Sequence, residues 1–426
     1  MLILLGFGKT NQAIAESHAP VLVFDDGFRT LSYDSFGNAL YPSADLSDIL
    51  TLQRDATIIT SPGIPPSNAM VRMALEFVKQ NPKAYFFSEY DFFVPTMPPS
   101  VWISGTNGKT TTTQMLTHLL QHIDAKSGGN IGTPLAKLDS NSPLWVLETS
   151  SFALHYTRLA KPSLYLLLPL SQDHISWHGS YEAYIKDKLK PILSLKEKEI
   201  AILPKSLEGH SYCKKSLGKL VFYENSKHLA QAFEIDLEKI SFKEPFLLDA
   251  TLALCGAKIL TLQTDYALLN AFEIGAHKME EFYDEFGNLW VDDSKGTNLD
   301  ATMAALQCYQ DKRILLVLGG DDKGADLNPL FALMKVLQKG NGIEIFAIGS
   351  NTDRLCELAL GIVESKACYT LEVAVESIKE RLLESKNDSI NASIKCVAML
   401  SPAAASLDQF SSYKERGEKF KLYALS

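Results

Sequence analysis

Short runs of apolar residues recur along the chain, and most are followed by a loop of glycine, small polar or charged residues. Such runs, rich in Val, Ile and Leu, are typical of strands buried on both faces of a sheet. Segments with helical spacing lie between them, as at Leu116, Leu119, Leu120 and Ile123. This alternation predicts an α/β fold with parallel sheets. Because ligands bind such sheets at the carboxyl ends of the strands, the loops after the apolar runs are the candidates for chemistry.

The length of 426 residues suffices for about two to three domains. Prolines at positions 95, 98 and 99 interrupt the pattern and indicate a linker. We predict three α/β domains, at 1–95, 96–273 and 274–426.

One loop has the features of a phosphate-binding site. The apolar run at 101–103 leads into Gly105, Gly108 and Lys109, and a helical pattern follows. Glycines let the backbone N–H groups turn inward, while the helix start and the lysine add positive charge. A hydroxyl directly after the lysine, that of Thr110, can coordinate Mg²⁺, so a nucleoside triphosphate is the expected ligand. Ile103 stands where common phosphate loops have their first glycine, so this loop is shorter or differently bent.

Further polar residues follow the next apolar runs of the central region. Asn130 lies in a glycine-rich loop, and Glu148 ends the run at 144–147, where it could bind Mg²⁺ or cap the helix that follows. Asp173, His174 and His178 suggest a metal site, but lone histidines are more often structural, and we predict no zinc there.

A predicted helix at 181–189 carries Lys186 and Lys188, and Lys190 follows it directly. Taken alone, these lysines are expected to form a solvated basic face.

The first region contains two glycine turns after apolar runs. One holds Gly6 and Gly8, with Asn11 in the place of a third glycine, and the other is Ser61-Pro62-Gly63. Two such turns suggest a ligand with a diphosphate, NAD or a UDP-sugar, and a purely structural role for both turns is an equal alternative.

Four apolar runs in the last region end in small or charged loops, at 292–298, 319–326, 349–350 and 401–406. The strands should end at one edge of a sheet, where a small anionic ligand would bind. Lys295, Lys323 and the hydroxyl of Ser406, which we predict at a helix start, are the expected partners of carboxylates.

Composition limits the classes of partner and compartment. The net charge of −9 argues against nucleic acid, and the six cysteines show no C-x-x-C pair of a zinc or redox site. The N-terminus has no basic segment of a signal peptide, and the apolar run at 164–170 is far short of the ~20 residues of a membrane helix. We expect a cytoplasmic monomer without membrane association.

Taken together, these loops resemble the Mur ligase family of ATP-dependent amide-bond ligases of peptidoglycan synthesis. The most specific segments are 105–111, 148–152, 173–174, 293–298 and 318–321. The resemblance spans the chain and implies a Rossmann-like N-terminal UDP-binding domain, a central P-loop ATPase-type domain with a parallel or mixed sheet, and a Rossmann-like C-terminal domain. Residues 400–410, followed by Arg416-Gly417, are similar to the branch that adds D-glutamate, and the Asp-Asn-Pro-Arg motif of the diaminopimelate- or lysine-adding branch is absent from the sequence. The implied substrates are ATP, D-glutamate and UDP-N-acetylmuramoyl-L-alanine, joined through an acyl phosphate and a tetrahedral intermediate.

The resemblance also implies roles for individual residues. Catalytic roles fall to Lys109, Glu148, His174 and Lys188. Two Mg²⁺ ions would be held by Thr110, Glu148, His174 and Lys188, the last as the lysine that the family carbamylates. ATP would be bound by Gly105, Thr106, Asn107, Gly108, Lys109, Thr110, Thr111, His277, Asp293 and Lys295. The UDP-substrate would be bound by Gly6, Gly8, Thr10, Asp25, Ser61, Pro62, Gly63 and Asn130. D-Glutamate would be bound by Thr297, Lys323, Ser406, Leu407 and Tyr413.

Some positions depart from the family pattern. His277-Lys278 replaces the usual His-Arg, and the segment near Phe246 and Asp249 lacks both asparagines of the usual adenine-binding segment. Tyr413 stands where phenylalanine is common. Three alternatives stay open: a ligase that adds glutamates to folate, a GTPase-like switch, and a nicotinamide oxidoreductase built on Gly6 and Gly8.

Overall fold

A computed structural model describes residues 1–53, 55–130, 132–387 and 395–426. The chain divides into two compact units, Met1–Phe272 and Glu273–Ser426. Within the described ranges the first unit contains two six-stranded sheets and the second unit contains one. The alternation of strands and helices predicted from the sequence is therefore confirmed.

The first sheet has the strand order β3-β4-β2-β1-β5-β6, in which only β3 is antiparallel to its neighbour. Its strands are β1 (Leu2–Leu5), β2 (Leu22–Asp25), β3 (Ser32–Tyr33), β4 (Ala39–Pro42), β5 (Thr57–Thr60) and β6 (Tyr85–Phe87). The helices of this part are α1 (Lys9–Ser17), α2 (Leu46–Thr51), α3 (Ala69–Gln80) and α4 (Glu89–Phe93).

The second sheet is parallel throughout, with the order β12-β11-β10-β7-β9-β8. Its strands are β7 (Ser100–Ser104), β8 (Lys126–Gly129), β9 (Trp145–Glu148), β10 (Leu164–Leu167), β11 (Ile200–Pro204) and β12 (Lys219–Tyr223). The helices are α5 (Lys109–Leu119), α6 (Ser151–Tyr156), α7 (Ile175–His178), α8 (Tyr181–Leu189), α9 (Ser211–Lys215), α10 (Ser226–Ala232), α11 (Phe246–Thr261) and α12 (Tyr266–Asn270).

The third sheet has the order β13-β14-β18-β15-β16-β17, with β13 antiparallel at one edge. Its strands are β13 (Glu280–Tyr283), β14 (Leu289–Asp292), β15 (Arg313–Gly319), β16 (Ile343–Ile348), β17 (Glu364–Tyr369) and β18 (Cys396–Leu400). The helices are α13 (Leu299–Cys308), α14 (Asn328–Leu337), α15 (Thr352–Ala359), α16 (Leu371–Asn387) and α17 (Tyr413–Leu425).

The apolar runs become the buried cores. In the first unit one continuous cluster joins the first two sheets, since Leu4 and Ile14 belong to the same core as Trp102 and Trp145. In the second unit separate clusters cover the two faces of the third sheet. Strand β16 is buried along its whole length, as expected for a strand covered by helices on both faces.

One local prediction is wrong. Ser406 does not start a helix: its carbonyl oxygen accepts hydrogen bonds from the N–H groups of Gln409 and Phe410 in an isolated turn, and α17 begins only at Tyr413. Across the described ranges, no helix has the length and hydrophobicity that crossing a membrane would require.

Candidate active site

The phosphate loop has the predicted order of strand, tight turn and helix. It connects β7 to α5, and Gly105 and Gly108 adopt φ values of 150° and 80°. A Cβ atom on Gly108 would lie 2.3 Å from the Asp249 carboxylate, so a larger residue would displace the Asp249 side chain as well as strain the turn. The segment near Phe246, which lacks the expected asparagines, thus lies against the phosphate loop through Asp249.

Two lysines converge on the first glycine of this loop. The Lys109 ammonium donates to the carbonyl oxygens of Gly105 and Thr106 at 3.0 and 2.8 Å. The Lys188 ammonium donates to the same Gly105 carbonyl at 2.8 Å and to the Ser104 hydroxyl at 3.1 Å. The structure therefore brings both predicted catalytic lysines to one carbonyl group.

Burial separates Lys188 from the other lysines near it. Lys188 is only 2% exposed, whereas the Lys186 side chain is 46% exposed and pairs with Glu182 at 3.4 Å. Burial, and then the nearby charge of Lys109, hold the pKa of the Lys188 amine well below its ordinary value. The expectation of a solvated face is wrong for Lys188.

Glu148 connects the phosphate loop to the glycine-rich loop after β8. One of its carboxylate oxygens accepts a 2.9 Å hydrogen bond from the Thr110 hydroxyl, and the other accepts one of 2.8 Å from the Asn130 side-chain amide. The alternative role as a helix cap is wrong, because the Ser150 hydroxyl caps α6 by accepting from the N–H of Ala153. A buried carboxylate and a hydroxyl at the end of a phosphate loop form a hard oxygen donor set, the kind that suits Mg²⁺.

His174 lies between β10 and α7 in a conformation that is unusual for a residue other than glycine. Its φ is 53°, its side chain is 43% exposed, and its Nε2 lies 3.4 Å from an Asp173 oxygen. Its ring also contacts Phe152, with 4.7 Å between centroids. Left-handed backbone at such residues is often found at functional sites.

His178 does not join Asp173 and His174 in one ligand set. Its two ring nitrogens lie 3.0 Å from Asp187 Oδ2 and 3.0 Å from the Ser151 hydroxyl. His155 Nδ1 lies 2.8 Å from the same Asp187 oxygen. Although burial opposes ionisation, hydrogen bonds from the two histidines hold the pKa of Asp187 below its usual range. Asp187 and His155 were not singled out from the sequence, because the partners are 32 residues apart and on different helices.

The two glycine turns of the first sheet lie side by side. A Cβ on Gly6 would come within 2.7 Å of the Ile64 side chain and 3.0 Å of Ser61 Cβ, and one on Gly8 would lie 3.4 Å from the Ser61 hydroxyl. Asp25 accepts from the N–H groups of Phe7 and Gly27 at 2.7 and 2.8 Å, which fixes the first turn.

The neighbouring residues complete this first-sheet region. The buried Asn11 amide bridges the carbonyl oxygens of Leu5 and Gly6, both at 2.9 Å, so it stabilises the turn where a third glycine was absent. Thr10 lies in the first turn of α1, and Pro62 and Gly63 complete the second turn.

The second turn is tied to the second sheet. The Tyr156 hydroxyl donates to the Ile64 carbonyl at 2.6 Å, and the Trp177 indole donates to the Gly63 carbonyl at 3.2 Å. Tyr156 ends α6 and Trp177 lies in α7, so these bonds join the glycine turns to the elements that follow Glu148 and His174.

In the second unit, the four loops expected at one sheet edge do meet there. Asp321 and Ala405 exchange backbone hydrogen bonds of 3.0 and 2.9 Å, which joins the loops after β15 and β18. The Ser401 hydroxyl donates to Asp293 at 2.7 Å, and the N–H of Ser350 donates to Asp408 at 2.9 Å. The prediction of a common edge is confirmed.

Asp293 and His277 are both buried at this edge. Burial raises the pKa of Asp293 to about 7. His277 Nδ1 lies 2.6 Å from Asp292, and the His277 carbonyl accepts from the N–H of Lys295 at 3.0 Å. His277 has a φ of 64°.

Arg416 stabilises the same edge of the sheet. It was identified from the sequence only as part of the Arg416-Gly417 pair, and no role was assigned to it. It is 1% exposed and donates to the Ser294 hydroxyl, the Ser294 carbonyl and the Ala404 carbonyl at 2.9–3.2 Å. The Ser294 hydroxyl donates in turn to the Tyr413 carbonyl at 2.7 Å. The Lys295 ammonium lies 4.2 Å above the Tyr413 ring.

Four of the residues expected to bind D-glutamate are spread over three of these loops, and the fifth, Tyr413, begins α17. Lys323 has a φ of 52° and lies in the loop after β15. Thr297 lies in the loop after β14, and Ser406, which is buried, and Leu407, which is 71% exposed, lie in the loop after β18. Asn351, which sequence reasoning missed, accepts from the N–H of Gly320 at 3.0 Å and donates to Asp322 at 2.8 Å.

Comparisons with known proteins agree with this arrangement. Residues 103–249 match the Mur ligase middle domain. The UDP-N-acetylmuramoylalanine--D-glutamate ligase of Campylobacter jejuni is 47% identical over 423 residues, which cover 98% of both chains. The enzyme of the same name from Helicobacter pylori strain J99 is 45% identical over 447 residues, which cover 99% of both. The crystal structure of MurF from Acinetobacter baumannii shares the fold, with a TM-score of 0.61 at 14% identity over 99% of this chain and 93% of that one. The chain therefore belongs to the Mur ligase family and is an ATP-dependent ligase of peptidoglycan synthesis.

Proposed function

We propose that this ligase joins D-glutamate to UDP-N-acetylmuramoyl-L-alanine, with ATP converted to ADP and phosphate. The observation that carries the proposal is the similarity, over almost the whole chain, to relatives that are named for this reaction. The meeting of Thr110, Glu148 and Lys109 at a phosphate loop supports the ATP half of the reaction.

The reaction has two covalent steps. The L-alanine carboxylate attacks the γ-phosphorus of ATP, the bond to the bridging oxygen breaks, and an acyl phosphate and ADP form. The amine of D-glutamate then attacks the acyl carbon, and the tetrahedral intermediate expels phosphate as the nitrogen loses a proton. Positioning and charge neutralisation supply most of the catalysis in such transfers.

Lys109 is suited to hold the transferring phosphate. Its ammonium lies over the loop between Gly105 and Gly108, and α5 begins at Lys109, so the first N–H groups of the helix face the same region. In this proposal Lys109 neutralises the phosphate both in ATP and in the acyl phosphate. The other residues of the phosphate loop, Thr106, Asn107 and Thr111, hold the loop in place.

The donor set of this loop fits Mg²⁺. Thr110 and Glu148 would hold one ion, with hydroxyl and carboxylate oxygens that already lie 2.9 Å apart. His174 and a carbamylated Lys188 would hold a second. Mg²⁺ supplies neutralisation of the triphosphate charge when it is bound.

The surroundings of Lys188 also fit carbamylation. Burial lowers the pKa of the Lys188 amine, which favours the neutral form that can attack CO₂ to give a carbamate and a proton. The carbamate carries one negative charge, so it can act as a ligand of a metal cation. It also removes the repulsion between the positive charges of Lys188 and Lys109.

The residues proposed for the other substrates are those that the family resemblance implies. The paired turns at Gly6, Gly8 and Ser61-Pro62-Gly63, with Thr10 and Asp25, would hold UDP, and Asn130 would contact the muramoyl-alanine part. Thr297, Lys323, Ser406, Leu407 and Tyr413 would receive D-glutamate. His277, Asp293 and Lys295 would lie near ATP.

We also propose that the three sheets belong to three domains, at 1–95, 96–273 and 274–426. The sheets occupy separate stretches of the chain, which supports this division. Limited proteolysis should cut first near residues 95–99 and 273 if the division is right.

The decisive experiment is phosphate release from ATP and Mg²⁺ with UDP-N-acetylmuramoyl-L-alanine, with D-glutamate present or omitted. Release should require both substrates, and L-glutamate should not replace D-glutamate. Release that ignores both substrates, or activity on folate with L-glutamate, would refute the proposal.

A further inference from the structure

Asp187 is a buried carboxylate that lies next to Lys188 on α8. It is 5% exposed. Its Oδ2 accepts from His155 Nδ1 at 2.8 Å and from His178 Nδ1 at 3.0 Å, and its Oδ1 lies 3.2 Å from the Lys190 ammonium. These lengths are those of direct hydrogen bonds and an ion pair.

The partners of Asp187 lie on the two neighbouring helices. His155 is on α6, and His178 ends α7. His178 also reaches α6 through its other nitrogen, which lies 3.0 Å from the Ser151 hydroxyl. One carboxylate on α8 thus fixes both α6 and α7.

Each of these helices follows directly on a proposed metal ligand. Helix α6 begins three residues after Glu148, α7 begins immediately after His174, and α8 carries Lys188. Phe152 adds a second link, since its ring contacts those of His174 and His178 at 4.7 and 5.6 Å. Removing the carboxylate would leave two imidazole N–H groups without their acceptor, one of them on a fully buried side chain.

We propose that Asp187 is a positioning residue for the metal centre, which holds the segments of Glu148, His174 and Lys188 in register. The inference rests on the proposed function, because that function assigns these three residues to Mg²⁺. Residues that orient metal ligands through hydrogen bonds typically change metal affinity or activity by about 10–100-fold when they are removed.

The test measures Mn²⁺ binding by electron paramagnetic resonance in the presence of a non-hydrolysable ATP analogue. Asp187→Ala should weaken Mn²⁺ binding about 10–100-fold and lower kcat by a similar factor, while the KM for D-glutamate changes less than about 2-fold. Asp187→Asn keeps an acceptor oxygen and should recover most of the affinity. Lys186→Ala, on the exposed side of the same helix, is the matched control and should bind Mn²⁺ like the wild type.

A second variant covers the case in which Asp187→Ala fails to fold. His155→Ala removes only the half-exposed partner, and it should weaken Mn²⁺ binding about 3–10-fold with an unchanged melting temperature. Wild-type affinity in a folded His155→Ala or Asp187→Ala protein overturns the inference. Failure of the proposed function is distinct, because the wild type itself would then release no phosphate with the two substrates.

Discussion

The Thr110 hydroxyl donates a 2.9 Å hydrogen bond to the Glu148 carboxylate, although 38 residues separate the two in the chain. This contact joins the start of α5 to the end of β9 and creates the oxygen pair that fits Mg²⁺. Glu148→Gln keeps the shape but removes the charge. We expect it to lower kcat for phosphate release by at least about 100-fold, with a melting temperature close to the wild type.

The control for this variant is Glu208→Gln, the same change at an exposed position of the first unit. It should leave kcat within about 2-fold of the wild type, as surface changes usually do. Equal rates for Glu148→Gln and Glu208→Gln across a range of Mg²⁺ concentrations would show that Glu148 does not bind the metal.

Lys188→Ala should abolish measurable activity, because the chain would lose the carbamate that the proposal assigns to the metal. Added bicarbonate or short carboxylates should restore part of it by occupying the space of the side chain. Lys186→Ala, two residues away and exposed, should behave like the wild type.

A second measurement on Lys188 does not depend on activity. The wild type equilibrated with ¹³C-labelled CO₂ should show a carbamate carbon signal by NMR, which Lys186→Ala retains and Lys188→Ala lacks. A signal that persists in Lys188→Ala would show that another amine carries the carbamate.

Glu89 should make the stability of the first unit depend on pH. It is buried in α4 and accepts from the N–H of Leu135 at 2.8 Å, and burial raises its pKa from 4.5 to about 7. Below pH 4.5 both the folded and the unfolded state are protonated at this site. Between pH 4.5 and 7 only the unfolded state ionises, so the folded state binds more protons and stability falls as pH rises.

Glu89→Gln removes this titration. Its stability relative to the wild type should therefore rise by about 3 kcal/mol between pH 4.5 and 8, most of it before pH 7. Urea unfolding at several pH values measures the difference, and Glu76→Gln, on the exposed side of α3, provides a baseline. A constant difference between Glu89→Gln and the wild type would contradict the assignment.

Arg416→Lys should destabilise the second unit despite the retained charge. The guanidinium spans three acceptors of two loops, on Ser294 and Ala404, and a lysine cannot reach them in the same planar geometry. We expect a loss of about 2–4 kcal/mol in urea unfolding, because buried carbonyl groups lose their donors. Lys414→Arg, at an exposed position of the same helix, should change stability by less than about 0.5 kcal/mol.

The sequence pattern predicts the sheets and the positions of the candidate loops well, because parallel strands are almost continuously apolar and end at glycine or polar residues. The phosphate loop and the four loops of the last region were found in this way. Lys188 is different: among three lysines only the family resemblance selected it. Tyr184 lies four residues before Lys188 on the same helical face and is equally buried, and this pairing was a signal in the sequence that Lys188 faces the core.

Contacts between distant segments could not be predicted from local patterns. His155 and Asp187 lie on separate helices, and each is unremarkable in its own stretch of sequence. Ser406 was predicted at a helix start, but the backbone hydrogen bonds between Asp321 and Ala405 hold its loop in a turn. In both cases tertiary contacts decide the structure.

Asn351 holds the loop that carries Lys323. Its side chain accepts from the N–H of Gly320 and donates to Asp322, whose carboxylate also pairs with Arg354 at 2.8 Å. Asn351→Ala would remove these two hydrogen bonds and loosen the loop. Two lost hydrogen bonds, at about 1 kcal/mol each, should raise the KM for D-glutamate about 10–30-fold and leave the KM for ATP within about 2-fold.

The matched control for Asn351→Ala is Asn341→Ala. Asn341 precedes the amino end of β16 and Asn351 follows its carboxyl end, so the same change is made at opposite ends of one strand. Asn341→Ala should leave both KM values near those of the wild type. Lys323→Ala should raise the KM for D-glutamate at least as much as Asn351→Ala, since the asparagine acts only through the loop. A KM for D-glutamate that responds to Asn341→Ala and Asn351→Ala alike would show that general destabilisation, rather than the position of Lys323, controls the binding of D-glutamate.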